Sequence, residues 1–315
     1  MISKSDKILI TWWSWFIWGN LVRKLVNLWF SNIFLILREE SDIRRIKDIF
    51  HKVKVFYGSL IDEWFVKKCV STIHPDIIYH LAANWVSWKE DLVVDIFTDN
   101  VIWTINLVSA CEHIWFKFFV NTWTNSEYWE QNHPFVEEDF LEPNSFYGVS
   151  KASSTLYCSH VWRNHHLPIY TYRLFMVYWP YENSKRLIPT LMLDYINHKI
   201  PKLSKPDTVR DFIYIDNVID YYLNIDKIVW DFGWIYNIWS WKQYSISDVV
   251  WIIKNICNSD IIPCYWCVST KRKESNINVA NIKKLSWIFK FKQKDIFEWL
   301  YETYQRFSQH LSLYK

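Results

Sequence analysis

Short apolar runs alternate with longer amphipathic stretches over the first half of the chain. Lys7–Thr11, Ile33–Leu37, Val53–Tyr57, Ile77–Leu81, Phe118–Asn121 and Ile169–Leu174 are brief runs rich in β-branched and aromatic residues, as in strands buried on both faces. Between them, Asn20–Leu28, Glu63–Ile73, Phe97–Ile114 and Tyr147–His165 repeat apolar residues at helical spacing, which predicts helices with one buried face. Such alternation predicts an α/β fold, a doubly wound parallel sheet with right-handed crossovers. Beyond Val177 the pattern loosens. Helical stretches at Leu187–His198, Ser247–Asn258 and Ile296–Ser308 predict a smaller C-terminal α/β lobe.

At 315 residues the chain is long enough for one large domain and such a lobe. A formal net charge of +3 with scattered Lys and Arg forms no basic stripe, so neither a nucleic-acid nor a membrane partner is expected. Met1–Lys7 leads into the first strand without signal-peptide features, and Ile8–Trp18 is too short to span a bilayer, which takes about 20 residues. A cytoplasmic location is the expectation. The six cysteines, Cys69, Cys111, Cys158, Cys257, Cys264 and Cys267, fall in predicted helices or strands. Cys264-Tyr-Trp-Cys267 has the spacing of half a zinc site, but no second ligand pair accompanies it. No metal is expected, and the thiols are expected to be reduced.

The chain has 22 tryptophans and four glycines, whereas usual glycine usage of about 7% would give roughly 22 glycines. The tryptophans stand where glycines are wanted. Ile8–Gly19 reads ILITWWSWFIWG; with glycine at each tryptophan it is a strand, a G-x-x-G-x-x-G turn and a helix start. In that turn glycines make the bend, let backbone approach a pyrophosphate and let helix pack on strand. Likewise FVNTWTNSEYWE (119–130), VYWPYE (177–182) and YNIWSWKQYSI (236–246) resemble FVNTGTNSEYGE, VYGPYE and YNIGSGKQYSI. On these motifs the chain resembles, along essentially its whole length, the extended short-chain dehydrogenases/reductases of the NAD(P)-dependent epimerase/dehydratase family. The tryptophans at family glycines, Trp12, Trp13, Trp15, Trp18, Trp129, Trp179 and Trp239, are expected to be UGA codons, which one genetic code reads as tryptophan and another as glycine. Trp162, within HVWRNHH, meets no such demand.

The resemblance implies a Rossmann-type NAD(P)-binding domain over 1–175 with about 207–240 returning to it, and a substrate-binding lobe over about 176–206 and 241–315. Tyr147 and Lys151 form a Y-x-x-x-K pair on one face of a predicted helix. A tyrosine titrates near pH 10. A neighbouring ammonium stabilises the phenolate and makes it a workable general acid/base. Thr124, at the family's interval before Tyr147 and five residues before Trp129, completes the implied Thr-Tyr-Lys triad. Its hydroxyl is expected to hold the reacting substrate oxygen.

The remaining family positions are carried over one by one. Trp12, Trp15 and Trp18 mark the fingerprint glycines, and Phe16 and Ile17 sit beside the pyrophosphate. Ser59 and Leu60 flank adenine. Leu81, Ala82 and Ala83 of the H-x-A-A stretch pass the nicotinamide ribose, which Lys151 also holds. Asn100 matches the asparagine of N-V-x-G-T. Arg210, in an R-D-[FWY] motif, is implied to hold the phosphate of a nucleotide sugar, with a second basic site near Lys271 and Arg272. At the end of the second strand Arg38 favours the 2′-phosphate of NADP(H), although the following Glu39 and Glu40 keep NAD(H) open.

Departures from the family narrow the reaction. Asn125 and Ser126 replace the acidic pair that dehydratases carry after the catalytic threonine. Met176 replaces an asparagine that can touch substrate, and Asn217 replaces an aspartate. The reading is an epimerase or a 4-keto reductase of a nucleotide-activated sugar, expected as a homodimer. The alternatives are a catalytically silent dinucleotide-binding protein, and a Trp-rich interaction protein should the tryptophans be real.

Overall fold

The computed structural model describes residues 2–11, 16–84, 93–129, 131–178, 182, 184–228, 234–240, 242–268, 277–281, 283–286 and 295–309. In chain order the elements are β1 (Ile8–Thr11), α1 (Phe16–Asn27), β2 (Ile33–Leu37), β3 (Lys54–Tyr57), α2 (Glu63–Ile73), β4 (Ile77–His80), α3 (Val93–Phe97), α4 (Trp103–Cys111), β5 (Phe118–Thr124), α5 (Phe146–His165), β6 (Ile169–Leu174), β7 (Met176–Tyr178), α6 (Leu187–Ile196), β8 (Val209–Tyr214), α7 (Ile215–Leu223), α8 (Ile225–Ile228), β9 (Ile235–Ile238), β10 (Gln243–Ser245), α9 (Ile246–Ile256), α10 (Lys283–Ser286) and α11 (Ile296–Gln309). They form two compact units, residues 1–129, 137–174 and 219–238, and residues 130–136, 175–218 and 239–315.

The first unit is built on a seven-stranded sheet in the order β3-β2-β1-β4-β5-β6-β9. Every neighbouring pair is parallel, so helices must return the chain across its faces. All residues of β1, β4 and β6 are buried, which is why those segments are apolar almost without alternation. Strand order reverses between β1 and β4, where Thr11 pairs with His80. In such sheets the crevice beyond the strands' carboxyl ends at this switch point is where ligands bind. The expected strand at 118–121 runs on to Thr124, and the expected helix at 97–114 is α3 and α4 joined by a π-helical segment, Thr98–Ile102.

The second unit holds a three-stranded sheet, β10-β8-β7. Helix α9 starts with a reciprocal cap, in which the Ser245 hydroxyl accepts from the Asp248 amide while the Asp248 carboxylate accepts from the Ser245 amide. Residues 207–218, expected with the first domain, belong to this unit because β8 pairs with β7 and β10. Reduced thiols were expected throughout, but Cys264 and Cys267 are joined in a disulfide, their Cα atoms 5.8 Å apart. The intervening turn brings the two together.

Two tryptophans outside the family motifs have backbone conformations that suit glycine. Trp29 lies at φ 64°, with its amide donating to the Val26 carbonyl (3.0 Å) and the Phe30 amide to the Leu25 carbonyl (3.1 Å). That pair of bonds is the Schellman termination of α1, whose left-handed position is usually glycine because a Cβ is penalised there. Trp266, in the turn between the two disulfide cysteines, has φ 61°. Both indoles are exposed, 84% and 69%, so no packing compensates the backbone cost. Trp18 is the opposite case: it is completely buried in the first turn of α1, where the family glycine allows close helix–strand packing.

Candidate active site

Thr124 ends β5 and caps the short turn Asn125–Glu127, its hydroxyl accepting from the Ser126 amide at 3.2 Å. Helix α5 begins at Phe146, capped by the Ser145 hydroxyl, which accepts from the Gly148 amide at 3.1 Å. This start puts Tyr147 and Lys151 one turn apart on the buried side, 7% and 1% exposed. Gly148, between them, is a glycine by necessity. A Cβ there would strike the Ser126 carbonyl oxygen and come within 2.8 Å of Pro143 Cβ, pushing α5 away from the turn that carries Thr124.

The Lys151 Nζ is buried and makes no hydrogen bond among the described residues. It lies 3.3 Å from the ring centre of Trp123 and 5.6 Å from that of Tyr147. Burial pushes its pKa well below the ordinary lysine value, and the Glu127 charge opposes that fall. An unsatisfied, buried ammonium donor is what a ribose hydroxyl would satisfy, so the residue fits a dinucleotide. Trp123, at a family glycine, occupies the space against that ammonium.

The carboxyl end of β4 contributes His80, whose Nδ1 and Nε2 bond the hydroxyls of Thr11 (2.7 Å) and Thr104 (3.0 Å). Burial, reinforced by the Lys151 charge, lowers its pKa to about 3, which keeps it neutral. Leu81, Ala82 and Ala83 follow, all buried. Asn100 ties this end of the sheet to α5. It exchanges bonds with the Asn84 backbone (3.0 and 3.1 Å) and donates to the Ser150 hydroxyl (2.9 Å), while its carbonyl accepts from Ser154 (2.8 Å). In the structure Asn100 is therefore a clamp on α5.

The other candidates for cofactor contact in this unit sit on loops and helix starts. Phe16 and Ile17 are buried at the start of α1. Ser59 and Leu60 lie between β3 and α2, where Asn106 Nδ2 donates to the Leu60 carbonyl at 2.9 Å. Arg38, just past β2, pairs through Nε with Glu40 at 3.0 Å and lies 5.8 Å from the Trp103 ring. Partial burial lowers its pKa, against the pull of Glu40 and Asp99. Trp12, Trp13, Trp15, Trp179, Lys271 and Arg272 lie outside the described residues.

In the second unit, Met176 pairs with Phe212 and Arg210 with Tyr244. Since side chains two apart on a strand share a face, Met176, Arg210 and Tyr244 look out from one side of that sheet. The Arg210 guanidinium also donates to the Val209 carbonyl at 2.8 Å. The same face lines a cavity of about 220 Å³ with Tyr178, Phe212, Tyr214 and Asn217. Asp211, on the opposite face, is buried and accepts from the Ser240 amide at 2.8 Å; burial raises its pKa to about 7.

Sequence reading missed a buried polar network in the first unit. Arg173 Nε donates to Glu127 Oε2 at 3.0 Å, and Nη1 donates to the Tyr128 hydroxyl (2.6 Å) and the Glu137 carbonyl (3.2 Å). Tyr128 in turn donates to Asn237 Oδ1 (2.9 Å), and the Asn237 amide to Glu137 Oε1 (2.8 Å). Arg173 and Glu127 are 1% and 0% exposed. Removing one member of so buried a pair costs about 3–5 kcal/mol. The available signal was a lone arginine inside the strand-like run IYTYRL.

The relatives fit this architecture. Among curated proteins, a dTDP-glucose 4,6-dehydratase of Escherichia coli is 26% identical over 279 residues, covering 80% of this chain and 75% of that protein. Among solved structures, UDP-glucuronic acid 4-epimerase from Bacillus cereus, in complex with UDP-glucuronic acid and NAD, superposes with a TM-score of 0.83 at 24% identity, over 96% of this chain and 99% of its own. UDP-glucose 4-epimerase from Thermotoga maritima, with UDP-glucose, gives 0.85 at 20% identity over the same shares. The model of the NAD dependent epimerase/dehydratase family matches residues 19–228, and the chain belongs to that family.

Proposed function

We propose that the protein interconverts nucleotide-activated sugars epimeric at a ring carbon, using Thr124, Tyr147 and Lys151, and that glycine stands in the working enzyme where the family's glycines are written here as tryptophan. The observation that carries the reading is the helix start that stacks Tyr147 and Lys151 on one buried face while Gly148 admits the Thr124 turn against it. NAD, when bound, accepts and returns a hydride. Lys151, Ser59, Leu60 and the residues after β4 would hold it. Tyr147 takes the proton of the sugar hydroxyl as that carbon is oxidised and gives it back on reduction. The charged Lys151 favours the phenolate, and Thr124 holds the sugar oxygen.

Dehydration is disfavoured, because neither Asn125 nor Ser126 can deliver or remove a proton as a carboxyl can. A 4-keto reductase shares all of this machinery and is the second reading. A silent dinucleotide-binding protein would not require Tyr147 and Lys151 together. The exposed apolar residues Val94, Ile102, Val149 and Leu156 on α3–α5 support a homodimer.

NADP(H) was favoured on Arg38 alone. The pairing of Arg38 with Glu40 sets a carboxylate beside the guanidinium that would anchor a 2′-phosphate, and the solved relative from Bacillus cereus is a complex with NAD. NAD(H) is therefore the proposed cofactor. The deciding experiment incubates the glycine-bearing chain with UDP- and dTDP-hexoses and each cofactor. Epimer formation with catalytic NAD and no net NADH supports the proposal. Stoichiometric cofactor consumption would make it a reductase, and tighter binding of NADP than NAD would restore Arg38 as a phosphate anchor.

Arg210→Ala is expected to raise KM for the nucleotide sugar about tenfold or more with little change in kcat, since a phosphate contact is shared by ground and transition states. Steady-state kinetics on the confirmed substrate check this. A fall in kcat at unchanged KM would give Arg210 another role.

A further inference from the structure

Lys151 can lower the pKa of its tyrosine only while it carries charge, yet it is buried with no hydrogen bond to its ammonium among the described residues. A buried cation requires a nearby anion. The groups around it are Tyr147 on its own helix, His80 at the end of β4, Glu127 on the turn after β5, and Arg173 on β6 behind Glu127. Tyr147 carries no charge until it gives up its proton. His80 is neutral, with both ring nitrogens bonded to threonine hydroxyls.

Glu127 remains, and the geometry ties it to the lysine's helix. Thr155 follows Lys151 by four residues, so the two share a face of α5. The Thr155 hydroxyl donates to Glu127 Oε2 at 2.8 Å, the oxygen that also accepts from Arg173 Nε. Glu127 Oε1 has no hydrogen bond among the described residues. An unfilled acceptor on Glu127 and an unfilled donor on Lys151 are thus both buried, the carboxylate being tethered through Thr155 to the helix that carries the lysine. In the interior their attraction is far less screened than at a surface.

We propose that Glu127 is a positioning residue of the reaction, the buried anion that keeps the Lys151 ammonium charged beside Tyr147. The inference rests on the triad reading given above. It also gives the Arg173 network a purpose: Arg173 and Thr155 fix one carboxylate oxygen and so set where the charge lies.

The test compares three variants of the glycine-bearing chain. Glu127→Gln removes the charge. Glu127→Gln with Arg173→Met removes both charges, so that no lone ion is left buried should the single variant fail to fold. Thr155→Val loosens the tether and keeps the charge. Two readouts are followed, the pH profile of kcat and the titration of Lys151 by NMR of chain labelled with ε-¹³C lysine, assigned through the signal lost in Lys151→Arg.

Loss of the charge is expected to move the acid limb of kcat up by about one pH unit, a roughly tenfold fall near pH 7 that shrinks toward pH 9.5. KM for the sugar should stay within about twofold, and the Lys151 midpoint should drop by about one unit. Thr155→Val should leave both midpoints in place. An equal fall in kcat at every pH, or an unmoved Lys151 midpoint in the charge-free variants, overturns the proposal. If the unsubstituted chain turns over no sugar, the functional reading has failed. The lysine titration then decides the role of Glu127 independently.

Discussion

Tyr147→Phe in the glycine-bearing chain is expected to lower kcat by about 10²–10⁴-fold, the usual worth of general acid/base catalysis, with NAD still bound. The substitution removes one oxygen and keeps the ring, which is 7% exposed and packed at the start of α5. The helix, its Ser145 cap and the Gly148 approach to the Thr124 turn should therefore survive. A loss that left both kcat and folding unchanged on a confirmed substrate would exclude the mechanism, whatever the fold. Companion variants set an order. Lys151→Ala should be about as severe and should also loosen the cofactor, since on the proposed mechanism the same ammonium serves the tyrosine and the ribose. Thr124→Ala should cost less, because a single neutral hydrogen bond is worth about 1 kcal/mol and the proton donor stays in place. Isothermal titration of NAD beside turnover separates these cases: only Lys151→Ala should change both. Thr124→Ala as damaging as Tyr147→Phe would shift the proton-transfer role toward the threonine.

The sheet of the first unit was legible because its strands β1, β4 and β6 are buried on both faces and therefore largely apolar. Ile77–His80 and Ile169–Leu174 could hardly be anything else in an alternating chain. The elements that carry the proposed triad were legible because Tyr147 and Lys151 fall at helical spacing and Thr124 at a strand end. What sequence could not supply was the role of long-range partners. The bonds of Asn100 to Asn84 and Ser150 are fixed only when the segment after β4 and α5 meet, and no local pattern announces them. Nothing local marks Glu127 as half of a buried ion pair, because its partner Arg173 lies forty-six positions on. The placement of 207–218 is non-local for the same reason: strand pairing of β8 with β7 and β10 is decided by registers between distant segments. The Cys264–Cys267 bond depends on the turn at Trp266, and nothing in the spacing alone distinguishes a disulfide from two free thiols.

Replacing the fingerprint tryptophans with glycine is expected to switch dinucleotide binding from absent to the micromolar range, with KM between about 1 μM and 1 mM as is usual for such sites. The reason is spatial. In the family's turn the pyrophosphate approaches backbone, and indoles in place of those glycines would claim that volume; Trp18, in the first turn of α1, is already completely buried. Trp123 likewise sits against Lys151. Fluorescence titration with NADH on the two forms checks this, and equal affinity would mean that the turn tolerates indoles. The coding DNA supplies a sharper test that needs no protein. UGA is expected at Trp12, Trp13, Trp15, Trp18, Trp129, Trp179 and Trp239, where the family has glycine. Trp29 and Trp266 extend the test beyond resemblance, because no motif contains them and only their φ of 64° and 61° asks for glycine. A left-handed residue with a Cβ costs roughly 1–2 kcal/mol, and neither exposed ring recovers it. Trp162 serves as the control: it lies within the regular helix α5 and packs 6.1 Å from the Trp234 ring, so UGG is expected there. UGG at the fingerprint would end the recoding proposal. UGA at Trp29 and Trp266 together with UGG at Trp162 would show that backbone conformation alone can distinguish the recoded positions from a real tryptophan.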